Sequence, residues 1–182
     1  INETNEMAGN KSLFVNCVMS TSNTKVSPVI DLQRVSAFTI QNRINQPSVS
    51  DVNYVSDTTN VGTSSAASYL TKPVILENLS TAIDVRLTSN IRSTSSVEVY
   101  FRTTSSEEAR NINDLSWIPF NTTGTSDTTV TPAEDNETFK EYKYSVTGLN
   151  EFTAFQIKIV MKGTNSSYAP VIKDMRGIAL AV

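Results

Sequence analysis

The chain of 182 residues carries a formal net charge of −3 and contains no histidine and one cysteine. Without histidine, a Ser-His-Asp triad, a histidine general base and a histidine zinc site are excluded. Lys and Arg are scattered singly, and no apolar run approaches the ~20 residues of a membrane-spanning helix. We therefore expect no nucleic-acid partner, no membrane partner and no cofactor.

The length fits one domain preceded by an extended arm. We expect a flexible arm or linker over residues 1–11 and a single β-sandwich domain over 12–182. Within that domain a jelly-roll-like core is expected at 67–182, and 12–66 is an added region of strands and loops. Because the chain begins with Ile1 rather than Met, we also expect it to be a piece of a longer protein.

Two strands are predicted before this core. The segment Ser12–Met19 alternates, and its Cys17 is expected to behave as a small buried hydrophobe because it has no histidine to activate it. A longer segment, Val29–Ile40, follows. Residues 43–66 are rich in Asn, Ser, Thr and Asp and predict a long loop that contacts a partner, since such loops are uncommon unless functional.

Seven further strands are predicted in the core, which gives about nine in the chain and an antiparallel two-sheet sandwich. They are the segments 69–76, 82–87, 97–102, 115–120, 139–146, 152–161 and 169–182. Pro73 places the first near a sheet edge or a strand start. In the second, Ile83, Val85 and Leu87 are expected to face inward, and Asp84 and Arg86 outward.

The connections between these strands are polar. Ser93–Ser96 predicts a hairpin between the second and third core strands. Ser105 and Glu108 match a Ser-x-x-Glu capping box, which favours one short helical turn before Asn111–Asp114. Residues 121–138 predict another polar loop.

Few residues point to chemistry. Catalysis by a pair of carboxylates is not expected; the candidates are Glu77, Asp84, Glu98 and Asp114. Asp84 and Glu98 alternate with apolar residues on predicted strands, which is typical of solvated charges on an outer face. Two oxygen-rich clusters are candidate calcium sites but are interpreted as polar loops: Asp51, Asn53 and Asp57, and Asn111, Asn113 and Asp114. Trp117 stands beside Leu115, Ile118 and Phe120, which favours packing in a core or interface over a sugar platform.

Several segments resemble large virion structural proteins of tailed bacteriophages, especially contractile-tailed phages of marine and cyanobacterial hosts. The resemblance covers most of residues 27–182, and it is carried by Ser27–Arg34, Asn42–Asn45, Tyr69–Asn78, Ala82–Leu87, Val97–Arg102, Trp117, Phe155–Met161 and Pro170–Ala181. One departure is Ile91–Ser95, where a Pro-Gly type of turn is expected from the family. The resemblance implies a baseplate, tail-fibre or other tail component and transfers no catalytic residue.

The sequence therefore predicts a non-enzymatic structural module of a phage particle, most simply a baseplate or fibre-associated tail protein. We expect it in the virion, assembled in the host cytoplasm, as a homo-oligomer among other virion proteins. The alternative is a carbohydrate-binding sandwich that recognises host surface glycans. Its binding residues would be the aromatic side chains Tyr54, Tyr69, Trp117 and Tyr168.

Overall fold

The computed structural model describes residues 16–31, 33, 56–60, 67–165 and 168–181. The chain divides into two compact units, Ile1–Thr39 and Ile40–Val182. The expected arm over residues 1–11 lies outside the described residues, as do parts of the predicted strands 12–19 and 29–40 and most of the predicted loop 43–66.

In the first unit, the described residues are exposed and form extended chain and turns without a strand. Asn23 organises one turn: its backbone carbonyl accepts from the Val26 N–H at 3.1 Å, and its Oδ1 accepts from the Lys25 N–H at 3.0 Å. Cys17 is exposed. The prediction that Cys17 is buried is wrong, because the described residues 16–31 form no strand that could place the thiol in a core.

The described residues of the second unit contain eight β-strands. They are β1 (Ser68–Leu70), β2 (Val74–Ser80), β3 (Ala82–Asn90), β4 (Ser95–Thr104), β5 (Ile118–Pro119), β6 (Lys140–Val146), β7 (Phe152–Gly163) and β8 (Val171–Leu180). The only helical pieces within the described residues are two 3₁₀ turns, Ile112–Asp114 and Phe120–Thr122. The all-β prediction is confirmed.

The strands form two antiparallel sheets packed face to face, as predicted. The five-stranded sheet has the order β1-β7-β4-β5, with β2 also paired to β7, and the three-stranded sheet has the order β6-β3-β8. Only β4 and β5 are neighbours in both sequence and space. Every other pair joins strands that are distant in sequence, which is the connectivity of Greek-key sandwiches.

Alternation in each central strand builds the core between the sheets. Ile83, Val85 and Leu87 of β3 are buried, whereas Asp84 and Arg86 of the same strand face solvent, as predicted. The facing sheet contributes the inner residues of β4 and β7, namely Val97, Val99, Phe101, Phe155, Ile157 and Ile159. Each such side chain contributes roughly 1.5–3 kcal/mol of transfer free energy when fully buried.

The strands β1 and β2 form one interrupted edge along β7. Ser68–Leu70 pairs with Lys158–Val160, and Val74 pairs with Phe155 further along the same strand. The interruption lies at Pro73, which has no N–H to donate. The edge position predicted from Pro73 is confirmed.

The predicted hairpin at Ser93–Ser96 is wrong. Strand β3 pairs with β6 and β8, while β4 pairs with β5 and β7, so the chain crosses between the sheets at this point. Ile91 is buried in the core just before the crossing. The Ser95 hydroxyl accepts from the Arg92 N–H at 2.9 Å and closes the turn.

The helical turn begins later than the capping box predicts. Asn111 is its N-cap, and the Asn111 side chain accepts from the Asn113 N–H. Ser105 closes only a backbone turn, in which its carbonyl accepts from Glu108 at 3.3 Å. Residues 121–138 form no strand, as predicted.

Candidate functional site

The outer face of the five-stranded sheet is covered and charged. Alternation along β7 turns Gln156, Lys158 and Lys162 to the side opposite the core, and all three are buried. The described residues 56–60 and the segment around Trp117 lie over this face: the Trp117 N–H donates to the Thr58 carbonyl at 2.8 Å. The described part of the predicted partner-contacting loop therefore packs on its own sheet.

Lys158 is fully buried beneath this cover, with 0% of its side chain exposed. Its ammonium donates to the backbone carbonyl of Asp57 at 2.7 Å and lies 3.7 Å from the Asp57 carboxylate. It also lies over the rings of Tyr100 and Trp117. Burial lowers the pKa of Lys158, and the nearby Asp57 carboxylate opposes that shift.

Lys162 is the second cation of a charged layer on this covered face, which also contains Lys158, Asp57 and Glu98. Its ammonium lies 3.3 Å from Asp57 and 2.6 Å from Glu98. Burial acts to lower the pKa of Lys162, but Glu98 and Asp57 together outweigh burial, and the pKa is raised. The Tyr100 hydroxyl donates to the same Glu98 oxygen at 2.6 Å.

Arg102 ties the covering segment to the sheet at the other end of the layer. Its Nη2 donates to Gln156 Oε1 at 2.6 Å and to Asn113 Oδ1 at 2.9 Å, and its Nη1 donates to the carbonyls of Asn113 and Leu115. The guanidinium stacks on Trp117 at 4.2 Å from the ring centre. Burial lowers the pKa of Arg102.

The ion pairs and stacking contacts of this layer hold the covering segment against the sheet. The charges of the layer are opposed by charges of the same chain, its aromatic rings are covered by cations, and the described segment 56–60 seals Lys158 from solvent. Lys158 has no exposed side-chain surface and Lys162 has only 10%, so these pairs mainly hold the covering segment against the sheet.

Two of the four carboxylate candidates, Asp84 and Glu98, are not brought together. Asp84 lies on the outer face of the three-stranded sheet, where it pairs with Arg86 and Lys143, whereas Glu98 lies on the opposite outer face. Two packed sheets are themselves ~10 Å apart. These two groups are therefore too far apart to act on one bond.

The oxygen-rich clusters are used internally. Asp57 pairs with lysines, Asn111 caps the 3₁₀ turn and Asn113 accepts from Arg102. Among the described residues, no group of three or more His, Cys, Asp and Glu side chains could hold a metal ion. Asp51 and Asn53 lie outside the described residues.

An open groove of about 760 Å³ lies at one edge of the sandwich, and it is the candidate binding site. Tyr69 of β1 and Met161 of β7 form its wall on the five-stranded sheet. The first half of β8, residues 171–175, forms the other wall, and Tyr168 closes one end. The lining is mainly apolar, with a few polar groups at the rim, which is the usual composition of a ligand or peptide site.

The polar rim is asymmetric in charge. Asp174 lines the groove but lies 3.6 Å from Arg176, so its charge is opposed. Lys173 lines the groove with its ammonium over the Phe139 ring, and it forms no ion pair with the other described residues. Behind Tyr168, Arg92 stacks on the ring at 5.0 Å, and its Nη1 is buried without a hydrogen-bond partner among the described residues.

The structure separates the four aromatic candidates for glycan binding. Trp117 is 3% exposed and packs with Tyr100 and Val160, so the packing interpretation is confirmed. Tyr69 and Tyr168 are 54% and 44% exposed and line the same groove. Tyr54 lies outside the described residues.

Sequence reasoning missed both the charged layer and the groove. A period-2 pattern of Gln156, Lys158 and Lys162 is typical of a solvated strand face, and only the fold shows that the face is covered. A usable signal was Trp117, since a lone tryptophan among scattered cations often stacks on one of them. The groove depends on which strands face each other, which no local pattern specifies.

Comparisons with known proteins give no assignment: no family model, no curated protein and no solved structure matches this chain. Within the described part of the chain, no helix is long and apolar enough to span a membrane.

Proposed function

We propose that this chain is a non-enzymatic structural and assembly module of a phage particle, most simply a baseplate or fibre-associated tail protein. The particle is suggested by the resemblance of residues 27–182 to virion structural proteins. The proposal places the chain in the virion, assembled in the host cytoplasm, where it contacts other virion proteins and further copies of itself.

The observation that carries the assembly role is an apolar sandwich edge. Large hydrophobic side chains are exposed along β1 and β2, and Ile75 is 83% exposed; the others are Tyr69, Leu70, Val74 and Leu79. Contiguous exposed apolar surface marks interaction sites in soluble proteins. By contrast, the outer face of the three-stranded sheet is charged, with Arg86 and Arg176 both paired to Glu141.

The charges of the molecule also favour a non-enzymatic role. The chain lacks histidine, and two of the four carboxylates weighed for catalysis, Asp84 and Glu98, are held in ion pairs on opposite faces. Enzymes usually place groups with shifted pKa values in a cleft. Here the buried lysines with shifted pKa values lie in the sealed layer and not in the groove.

Light scattering behind a sizing column tests the assembly role. We expect the purified 182-residue chain to form a defined oligomer, because exposed apolar edges associate in symmetric assemblies. The variant Ile75→Asp should dissociate it, and the matched control Ile118→Asp, at the opposite sheet edge on β5, should not. A monomer at every concentration contradicts self-assembly and leaves the module as a pendant domain of a larger chain.

Glycan binding is the second candidate, favoured by one observation. Tyr69 and Tyr168 are half-exposed and share the groove, where aromatic rings could stack on sugar faces. Titration with neutral and acidic oligosaccharides, followed through the tyrosine ring resonances, tests it. Saturable shifts of both tyrosines, with the Tyr168 shift lost in Tyr69→Ser, support this candidate, and unchanged resonances exclude it.

A further inference from the structure

Among the residues that the structure describes, no strand faces the inner side of the edge strands β1 and β2. Tyr69 is paired with Ile159, and Val74 with Phe155, so both lie on the core-facing side of the sheet. Nevertheless Tyr69 and Val74 are 54% and 42% exposed, while Ile159 and Phe155 are buried. Core-facing residues are exposed when nothing packs opposite them.

The stacking of the sheets explains this exposure. A Cβ on Gly177 of β8 would lie 3.6 Å from the Phe155 ring, so β8 packs over β7. At the other side of the sandwich, Tyr144 of β6 meets Phe120 at 6.0 Å between ring centres. The five-stranded sheet therefore extends one strand beyond β8, and the groove occupies the position that a further strand beside β8 would fill.

Because the five-stranded sheet extends beyond β8, it restricts which partners fit in the groove beside β8. A second copy that paired its own β8 with this one in an antiparallel manner would bring its own β7 to the place already taken by β1 and β2. The two five-stranded sheets would collide. A single extended segment with no sheet packed above it meets no such obstacle. The groove is lined over residues 171–175, which corresponds to a segment of about 16 Å at ~3.3 Å per residue.

The edge of β8 is protected against indiscriminate pairing. The register shifts between Thr88 and Ser89, whose partners are Asp174 and Ile172, so Lys173 is the extra residue of a bulge. A bulge with charged residues is a common device against edge-to-edge aggregation. It leaves the Lys173 cation at the groove rim without an ion pair among the described residues, and the Arg92 guanidinium stacks on Tyr168, which also lines the groove. An acidic residue on the incoming segment would complement these cations.

We propose that the groove accepts an extended segment of a neighbouring protein, which adds a strand beside β8, turns alternate apolar side chains toward Tyr69 and Met161, and places an acidic residue at Lys173. Main-chain hydrogen bonds to the strand edge would supply affinity, and the apolar positions would supply specificity. This inference rests on the proposed assembly function and names a partner segment for the groove between β1 and β8.

Peptide binding tests the proposal directly. Fluorescein-labelled TVEVTVT is titrated against the full chain by fluorescence anisotropy, beside the charge-reversed TVKVTVT and the non-alternating VVVTTTE. We expect TVEVTVT to bind about fivefold more tightly than TVKVTVT, as one exposed charge pair allows. The variant Lys173→Glu should reverse this preference, and the control Lys25→Glu, exposed in the first unit, should not change it. Hydrogen exchange should show new protection of β8 amides when TVEVTVT is bound.

The outcomes separate this proposal from the assembly function. The strand-addition proposal is overturned if VVVTTTE binds as tightly as TVEVTVT. It is also overturned if no peptide binds at about 1 mM, a Kd that corresponds to only ~4 kcal/mol. Neither result affects the oligomer measured by light scattering. If Lys173→Glu dissociates that oligomer without any peptide, the occupant is a second copy and not a neighbouring protein, which also overturns it. Thermal unfolding of each variant establishes that it is folded.

Discussion

The Lys158 ammonium donates a hydrogen bond of 2.7 Å to the Asp57 backbone carbonyl, and the two residues are 101 positions apart in the chain. This contact joins the centre of the longest strand to a segment that belongs to no strand. Because Lys158 is fully buried, its charge depends on Asp57 for compensation. The pair is therefore one of the contacts that hold the described residues 56–60 on the outer face of the five-stranded sheet.

Replacing Asp57 with Asn should destabilise the protein by roughly 3 kcal/mol near neutral pH, because it leaves a buried lysine charge without its counter-ion. The loss should shrink as the pH rises. Without Asp57 the folded-state pKa of Lys158 falls further below the unfolded value of ~10.4, so the unfolded state binds more protons and stability rises with pH in that window. Urea unfolding at pH 7.5 and 9.5 measures the difference.

The control for this variant is Glu107→Gln, which removes an exposed carboxylate away from the layer. The midpoint of urea unfolding of Glu107→Gln should equal that of the wild-type protein at both pH values. If the deficit of Asp57→Asn is equal at pH 7.5 and 9.5, Lys158 is not the group that loses its compensation. If there is no deficit at all, the covering segment does not depend on this ion pair.

The parts of the fold that the sequence predicts are those that depend on one strand. The alternation of Ile83, Val85 and Leu87 with charged residues specifies both the strand and its buried face, because a one-residue shift would turn every side chain over. Pro73 similarly marks an edge through its own missing donor. These arguments need no knowledge of neighbours.

The parts that fail depend on which strands meet. A short polar link such as Ser93–Ser96 can close a hairpin or cross between two sheets, and the local sequence is compatible with both. The face that carries Lys158 looks solvated until residue 57 is placed on it. The groove exists because one sheet is wider than the other, and sheet width is a property of the topology.

Two tyrosines provide a matched test of hydrogen bonding. The Tyr144 hydroxyl is buried without a hydrogen-bond partner among the described residues, and burial raises its pKa. The Tyr100 hydroxyl donates to Glu98 at 2.6 Å. We expect Tyr144→Phe to be neutral or slightly stabilising and Tyr100→Phe to cost about 1–2 kcal/mol, since a bond to a charged acceptor is lost. Chemical denaturation at pH 7 compares them, and a larger loss for Tyr144→Phe would show that its hydroxyl has a partner.

The packing of β8 over β7 can be tested at Gly177. A Cβ there would lie 3.6 Å from Cε2 of Phe155, which is ordinary van der Waals contact. We expect Gly177→Ala to be tolerated, with a gain of up to about 1 kcal/mol from the lower entropy of the unfolded chain. Gly177→Val should cost about 1–3 kcal/mol because the added methyl groups overpack the interface. If both variants unfold at the same temperature, β8 does not lie against Phe155.

Gly124 and Gly148 test steric fit at positive φ. Both adopt the left-handed region, at φ 83° and 71°, so an alanine at either position pays about 1 kcal/mol of backbone strain. At Gly124 a Cβ would also lie 3.0 Å from the Glu98 Cβ and 3.2 Å from the Val99 nitrogen, whereas at Gly148 nothing lies within 4 Å. The Gly124 N–H and carbonyl are bonded to Phe120 and Val99, so the loop cannot easily move away from β4. Gly124→Ala should therefore lower the melting temperature more than Gly148→Ala. Equal decreases in calorimetry would show that the loop at Gly124 moves enough to accommodate the added methyl group.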